Sequence, residues 1–383
     1  MIGDNIEELY KRLSKANHLM TQVRNREDRM ALANYIGNLY TTIGNVLNIK
    51  VKPKKKQIFG SKDGYKKFYR VYDSKENEML DNLIKYKEFH SELFCDILFD
   101  VKEIMKSICD EEIIEENIIS EDSFYEIFMG FMNSIGLEEL FIKFLKEGRI
   151  HTTVLKEGDT CLGSTIYNPL TKDLDISISN FDYTVMCMST LAHEFGHVYD
   201  LDSLNEDSIT YNRYFYQSFF GEIYSRLFER LFITYMIKNN ILKDQVKNTI
   251  FQLELMNHDY LLASYILSLL QDEYLKDSLY LYIDKKNLID MVKYHFYESS
   301  EVMDYLYGVR SLNVGEDFTY AYGDIVSIFL KESVEKHGFS NVLVKEFSRI
   351  RTELFTPDFL EKHHMNSENY VKLYKKEVGL LKK

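Results

Sequence analysis

The sequence predicts a mostly α-helical protein carrying one small β-ribbon. Three observations lead there. Apolar residues recur at helical spacing over most of the chain, Pro is nearly absent at 3 in 383 residues, and β-branched residues alternate with polar ones in a single stretch, 149–180. With 45% apolar and 28% charged residues, the composition is that of a globular protein, long enough to bury a sizeable core in one large domain or two lobes.

The elements follow in order. Residues 4–48 place Leu9, Leu13, Leu19, Leu32, Ile36, Leu39, Ile43 and Leu47 at buried helical positions. "KPKKK" (52–56) and "GSKDG" (60–64) read as a polar connection with a solvated basic face. Residues 74–116 are again helical. Ser120 fits an N-cap, with Glu121 and Asp122 in the first turn, where carboxylates meet the positive end of the helix dipole. In 149–180, "HTTVL", "CLGSTIY" and "LDISIS" read as short strands joined by turns. After Asn180 the pattern returns to helix and stays there.

Several function classes fall away on composition. A net charge of −13 argues against a nucleic-acid partner, because phosphate binding needs a basic surface. No run approaches the ~18 apolar residues of a membrane span. The start "MIGDNIEELYKRL" has no signal-peptide pattern, and the four Cys form no C-x-x-C pair, so a cytoplasmic location is expected. Cys187 reads as a small packed residue. His18, His90, His258, His295 and His337 each stand alone on helical segments, His363 and His364 lie in a polar stretch, and His151 opens a strand. None of these has the spacing of a second metal site.

Chemistry concentrates in "STLAHEFGHVYD" (189–200). On a helix His193 and His197 share one face and can reach a single ion, for which neutral imidazole is a good ligand. Glu194 lies about 100° round and can approach a water on that ion without ligating it. A catalytic zinc also needs a third protein ligand and an open fourth position. No histidine follows His197 closely, which leaves carboxylates. "FFGEIYSRLFERLFITYMIKNN" (219–240) is an apolar helix with Phe220, Ile223, Leu227 and Leu231 on its buried side. Glu222 starts it, Ser225 follows, and Glu229 falls two turns on along the same face. From the residues alone, these two glutamates are either partnered carboxylates or solvated surface groups.

Glu222 follows His193 by 29 residues within the form E-x-x-S-x-x-x-E. This pairing resembles the thimet oligopeptidase and oligoendopeptidase F family of zinc peptidases. "SEDSFYEIFMGFMNSIGLEELFIKFLKEGRI" with "EGDTCLGSTIY" resembles that family's helix pair and cleft ribbon, "SISNFDYTVMCMSTLAHEFGH" its approach to the motif helix, and "FTYAYGDIVSIFL" (318–330) its tyrosine-rich helix start. The similarity spans roughly residues 115–360.

The resemblance implies a two-lobed helical metallopeptidase with the ribbon beside a zinc cleft. It implies one Zn2+ per chain held by His193, His197 and Glu222, with Glu194 as general base and acid. Glu229 would orient a ligand histidine, and Tyr320 or Tyr322 would donate to the developing oxyanion, with Gly323 letting the backbone pass close by. Tyrosines two apart on a helix diverge, so only one is expected to reach the metal. Residues 1–110 form an N-terminal helical region and 111–383 the catalytic region. Short peptides are the expected substrates, cut internally. A substrate strand would add to "DISIS" (175–179), read as the ribbon's edge.

The chain departs from the family pattern in two places. "GVRSLNVGEDFTYAY" lacks the histidine common before the tyrosine stretch, and "KHGFSNVLVKEFSRI" lacks the Gly-rich segment. Two other readings therefore stand beside the first: a catalytically degenerate zinc- or peptide-binding relative, and a zinc carboxypeptidase of the Taq type.

Overall fold

The structure is a computed structural model that describes residues 81–82, 84–106, 118–153, 162–167, 174–179, 181–202, 222–268, 282–284, 311–339 and 356–379, with scattered positions between 8 and 42. In chain order its helices are α1 (Lys87–Lys106), α2 (Glu121–Ser134), α3 (Glu138–Lys146), α4 (Val185–Asp202), α5 (Glu222–Lys238), α6 (Lys243–Ser268), α7 (Val314–His337), α8 (Pro357–Lys362) and α9 (Ser367–Gly379). Its strands are β1 (Ile150–Thr153), β2 (Leu162–Tyr167), β3 (Leu174–Ser179), β4 (Tyr282–Asp284) and β5 (Ser311–Asn313). The fold is mostly α with a small β-element. Packing divides the chain into two compact units, Met1–Val71 with Glu116–Arg213 and Tyr72–Glu115 with Tyr214–Lys383.

In the first unit, the described positions between 8 and 42 are helical, and Leu9, Leu13, Ala16 and Leu39 bury together against Leu32 and Ile36. Leu19 corrects the expectation: it is 47% exposed. On a continuous helical course it falls about 90° round from the Leu9–Leu13–Ala16 stripe. Ile43, Leu47 and the 52–64 connection lie outside the described residues. Ser120 does cap α2, its Oγ accepting from the Ser123 amide at 3.2 Å. Phe124, Phe128, Phe131, Phe141 and Phe144 of α2 and α3 are all buried, with Gly136 at φ +76 turning the chain between the helices.

The three expected strands form one sheet in the order β1-β3-β2. β1 runs parallel to β3 (Ile150↔Ile176) and β2 antiparallel to it (Leu162↔Ser179). The segment 175–179 is therefore the central strand and not the edge, so its backbone is paired on both sides. The burial pattern agrees. Ile176 and Ile178 are fully buried, and Asp175 and Ser177 on the other face are nearly so, as in a strand covered on both faces. α4 packs on β2 and β3. Thr184 caps its start, its Oγ1 accepting from the Cys187 amide at 3.3 Å, and Cys187 is buried as expected.

In the second unit α7 packs against α5, α6 and α9, and α1 packs against α6 and α9. The expected apolar stripe on α5 turns out to be wider. The helix is buried all round from Glu222 to Thr234, including Arg226 and Arg230. Its charges are tolerated because they find partners: Arg230 bonds Asp324 and Glu377, and Lys331 bonds Glu377 at 3.0 Å. β4 and β5 pair antiparallel, which corrects the expectation that the chain stays helical after Asn180. Among the described residues, no helix is long and apolar enough to cross a membrane.

Candidate active site

His193 and His197 sit one turn apart on α4, both half-buried. Their ring centroids are 4.9 Å apart at 77°, and their Nε2 atoms converge to 3.2 Å. The helix is held in place by Phe195, which is fully buried with its ring 5.2 Å from Phe144, 5.6 Å from Phe141 and 5.7 Å from Phe128. Phe195 was absent from the sequence reading. The signal for it was the run of phenylalanines at helical spacing in 124–144, an apolar face in need of a plug.

Glu194 is only 3% exposed. The Thr165 hydroxyl on β2 lies 2.7 Å from Glu194 Oε2 and 2.9 Å from the Glu194 carbonyl oxygen, so its one hydrogen serves either acceptor. Gly163, two residues earlier on β2, leaves the room. A Cβ there would stand 2.7 Å from Glu194 Cγ and 2.8 Å from its Cδ. His151 on β1 is neutral at physiological pH, burial lowering its pKa to about 4.

Glu222 opens α5 and is 8% exposed. The Ser225 hydroxyl lies 2.8 Å from its Oε2 and 3.0 Å from its carbonyl oxygen. Gly323 on α7 faces it so closely that an added Cβ would stand 2.8 Å from Glu222 Cβ and 2.9 Å from its carbonyl carbon and oxygen. The close backbone approach read for Gly323 thus occurs, and its partner is Glu222.

Glu229, two turns along, accepts from Arg226 Nη1 at 2.7 Å. Burial opposes the Arg226 charge, but the carboxylates of Glu229 and Asp324 outweigh it and hold the guanidinium protonated. The two tyrosines diverge as expected. Tyr320 is half-buried and stacks on Tyr260 at 4.3 Å, with the Arg226 guanidinium 5.2 Å from its ring centroid. Tyr322 is 2% exposed and its hydroxyl meets His90 Nδ1, while burial pushes its own pKa well up. His90, read from the sequence as an isolated histidine, is fully buried with a pKa lowered to about 3 by desolvation. His193, Glu194 and His197 belong to the first unit, and Glu222, Glu229, Tyr320 and Tyr322 to the second.

No protein-family model matches the chain, and no curated protein does. Among solved structures it is similar to a Bacillus anthracis protein provisionally assigned as an oligoendopeptidase F, at 14% identity and TM-score 0.49, covering 93% of this chain and 64% of that one. It is also similar to a provisionally assigned peptidase from Chlamydophila abortus, at 14% identity and TM-score 0.45, covering 97% of this chain and 62% of the other. A third is PZ peptidase A with an inhibitor, at 12% identity and TM-score 0.44, covering 93% and 66%. The chain thus spans less than two thirds of the length of each of these structures.

Proposed function

We propose that the chain is a zinc-dependent peptidase in which His193, His197 and Glu222 hold one ion and Glu194 moves the proton. The observation that carries this reading is the 3.2 Å separation of the two histidine Nε2 atoms. Two imidazoles bound tetrahedrally to one zinc, at Zn–N of about 2.0–2.1 Å, would stand roughly 3.3 Å apart. Two imidazoles and one carboxylate also make a donor set that leaves a fourth position open. When bound, zinc supplies Lewis acidity to a water and to the scissile carbonyl.

The remaining work belongs to the chain. Glu194 accepts a proton from the attacking water as the water oxygen bonds the carbonyl carbon. It returns that proton to the amide nitrogen as the C–N bond breaks. Thr165 aims the carboxylate, and Gly163 leaves the space in which it sits. Of the two tyrosines, we assign oxyanion donation to Tyr320, because the Tyr322 hydroxyl is engaged with His90. The orienting role for Glu229 is kept alongside its bond to Arg226. The substrate is a short peptide cut internally. With 175–179 central, an added substrate strand would extend the sheet at β2, whose Gly163 and Thr165 border Glu194.

Metal analysis of the full chain after zinc reconstitution, paired with cleavage of a quenched-fluorescent peptide with and without chelator, tests the proposal. About one zinc per chain and chelator-sensitive cleavage are expected, with Glu222→Ala losing the metal. Well under one zinc, or parental zinc affinity in Glu222→Ala, would overturn it.

A further inference from the structure

The seat of Glu222 is closed on one side by Gly323, with no room for a single added carbon. The position of α7 along and about its own axis therefore decides where Glu222 can stand. The residue before Gly323 is Tyr322, whose hydroxyl bonds His90 Nδ1 on α1. Tyr322 and His90 sit in a ring cluster with Phe94 and Phe318. The Phe94–Tyr322 centroids are 5.3 Å apart, His90–Tyr322 5.6 Å and His90–Phe318 6.3 Å.

A core that needed only volume here would be served by phenylalanine. A fully buried histidine is costlier, since its ring is desolvated and its Nε2 has no hydrogen-bond partner among the described residues. What histidine adds over phenylalanine is one directional bond, made to the hydroxyl beside Gly323.

We propose that His90 is a positioning residue for Glu222, fixing the Tyr322 hydroxyl and thereby the height and rotation of α7 where Gly323 closes on Glu222. This rests on the metal-site reading above. Consecutive residues on a helix are tied by about 1.5 Å of rise and 100° of rotation, so a shift of α7 that moves Tyr322 moves Gly323 with it. A carboxylate whose seat widens keeps its chemistry but loses its aim, and the loss falls on metal affinity.

The test measures zinc affinity of the full chain by competition with a chromophoric chelator, and thermal unfolding of the same metal-free samples. His90→Phe and Tyr322→Phe should each weaken zinc binding by about tenfold or more while remaining folded. The double variant should bind no more weakly than the weaker single, because both remove one bond. His90→Gln, which can still bond the hydroxyl, should stay within about threefold of the parent. Parental affinity in both His90→Phe and Tyr322→Phe, or effects that multiply in the double variant, would overturn the inference. Should those two variants fail to fold, Gly323→Ala reads the other end of the chain of contacts. It is expected to weaken zinc by about tenfold, and parental affinity there also overturns the inference. If the parent binds no zinc, or Glu222→Ala binds it as tightly as the parent, the metal-site reading fails and takes this inference with it. Normal behaviour of the parent and of Glu222→Ala beside indifferent His90 and Tyr322 variants defeats this inference alone.

Discussion

Glu194 and Glu222 are both almost buried, at 3% and 8% exposure, and each meets a hydroxyl and a glycine, yet the helices that carry them are held by opposite means. Glu194 rides on a helix fixed by phenylalanine packing. Glu222 starts a helix whose buried flank is an ionic lattice of Arg226, Glu229, Arg230, Asp324 and Glu377. The difference matches the work assigned to each. A group that takes and returns a proton is best mounted away from fixed charge, and phenylalanine packing brings none. A group that only has to stay put, ionised, gains from a stiff surround. Fold and function should therefore separate cleanly under mutation in the first region and fail together in the second.

The largest expected effect is on turnover. Glu194→Gln keeps the shape and can still accept from Thr165, but it cannot carry a proton. A fall in kcat of about 10²–10⁴ is expected with zinc content and unfolding midpoint unchanged. Parental kcat in a zinc-loaded Glu194→Gln would break the comparison at its functional end.

The structural end is tested by Arg230→Met, which leaves Glu377 with Lys331 and takes from Asp324 its paired guanidinium. Removing one member of a buried ionic set costs about 3–5 kcal/mol, read as a lowered urea midpoint. A loss below about 1 kcal/mol would mean the lattice is not what holds α5.

The same lattice predicts a pH dependence of its own. Glu254 is buried against it and accepts from Tyr374 at 2.8 Å. Desolvation raises its pKa to about 7, with Arg230 pulling down and Asp324 pushing up. A raised carboxyl pKa means the folded state holds a proton that the unfolded state has released. The Glu254 contribution to stability should therefore fall as pH rises from about 4.5 to 7, by the order of 1–3 kcal/mol, and level off above, against the opposite trend from buried His90 and His151. Glu377 works the other way. Burial opposes its ionisation, but Arg230 and Lys331 hold its pKa below 4.5, so its contribution is lost only in stronger acid. Urea midpoints across pH 4.5–7.5 for the parent and Glu254→Gln decide it. An equal slope in both would assign the effect elsewhere.

The two regions also differ in how much of them the sequence disclosed. The first was largely legible, because its signals are local: His193 and His197 at i and i+4, Ser120 before an acidic turn, three β-branched runs between turn residues. What failed there was order in space. Alternation cannot tell a central strand from an edge, so 175–179 was misplaced until β1 was seen pairing with its far side. The second region hid its organisation because the partners are remote. Arg230 meets Asp324 at 94 residues and Glu377 at 147. A helix reading E-I-Y-S-R-L-F-E-R shows polar residues wherever its charges lie, buried or not, and no period reveals that they are paired. His90 was missed for the same reason, its partner lying 232 residues on.

The smallest expected effect probes how finely Glu194 is aimed. Thr165 has one hydroxyl hydrogen and two acceptors within reach, the carboxylate at 2.7 Å and the carbonyl oxygen at 2.9 Å. While Glu194 is ionised, the charged oxygen is the stronger acceptor and takes the hydrogen. Once Glu194 is protonated that bond weakens, and the hydroxyl can turn to the carbonyl at little cost. Thr165 thus orients the carboxylate without opposing its change of state. Replacing it with Val keeps the β-branched shape that suits β2 and removes only the hydroxyl. Zinc content should hold, since neither the histidines nor Glu222 is touched, and kcat should fall about tenfold, near 1.4 kcal/mol, with KM little changed. Thr165→Ser restores the hydroxyl without the methyl and should recover most of the loss. Equal impairment in the Ser and Val variants would show that packing against β2 aims Glu194, and would place both carboxylates under the same kind of control.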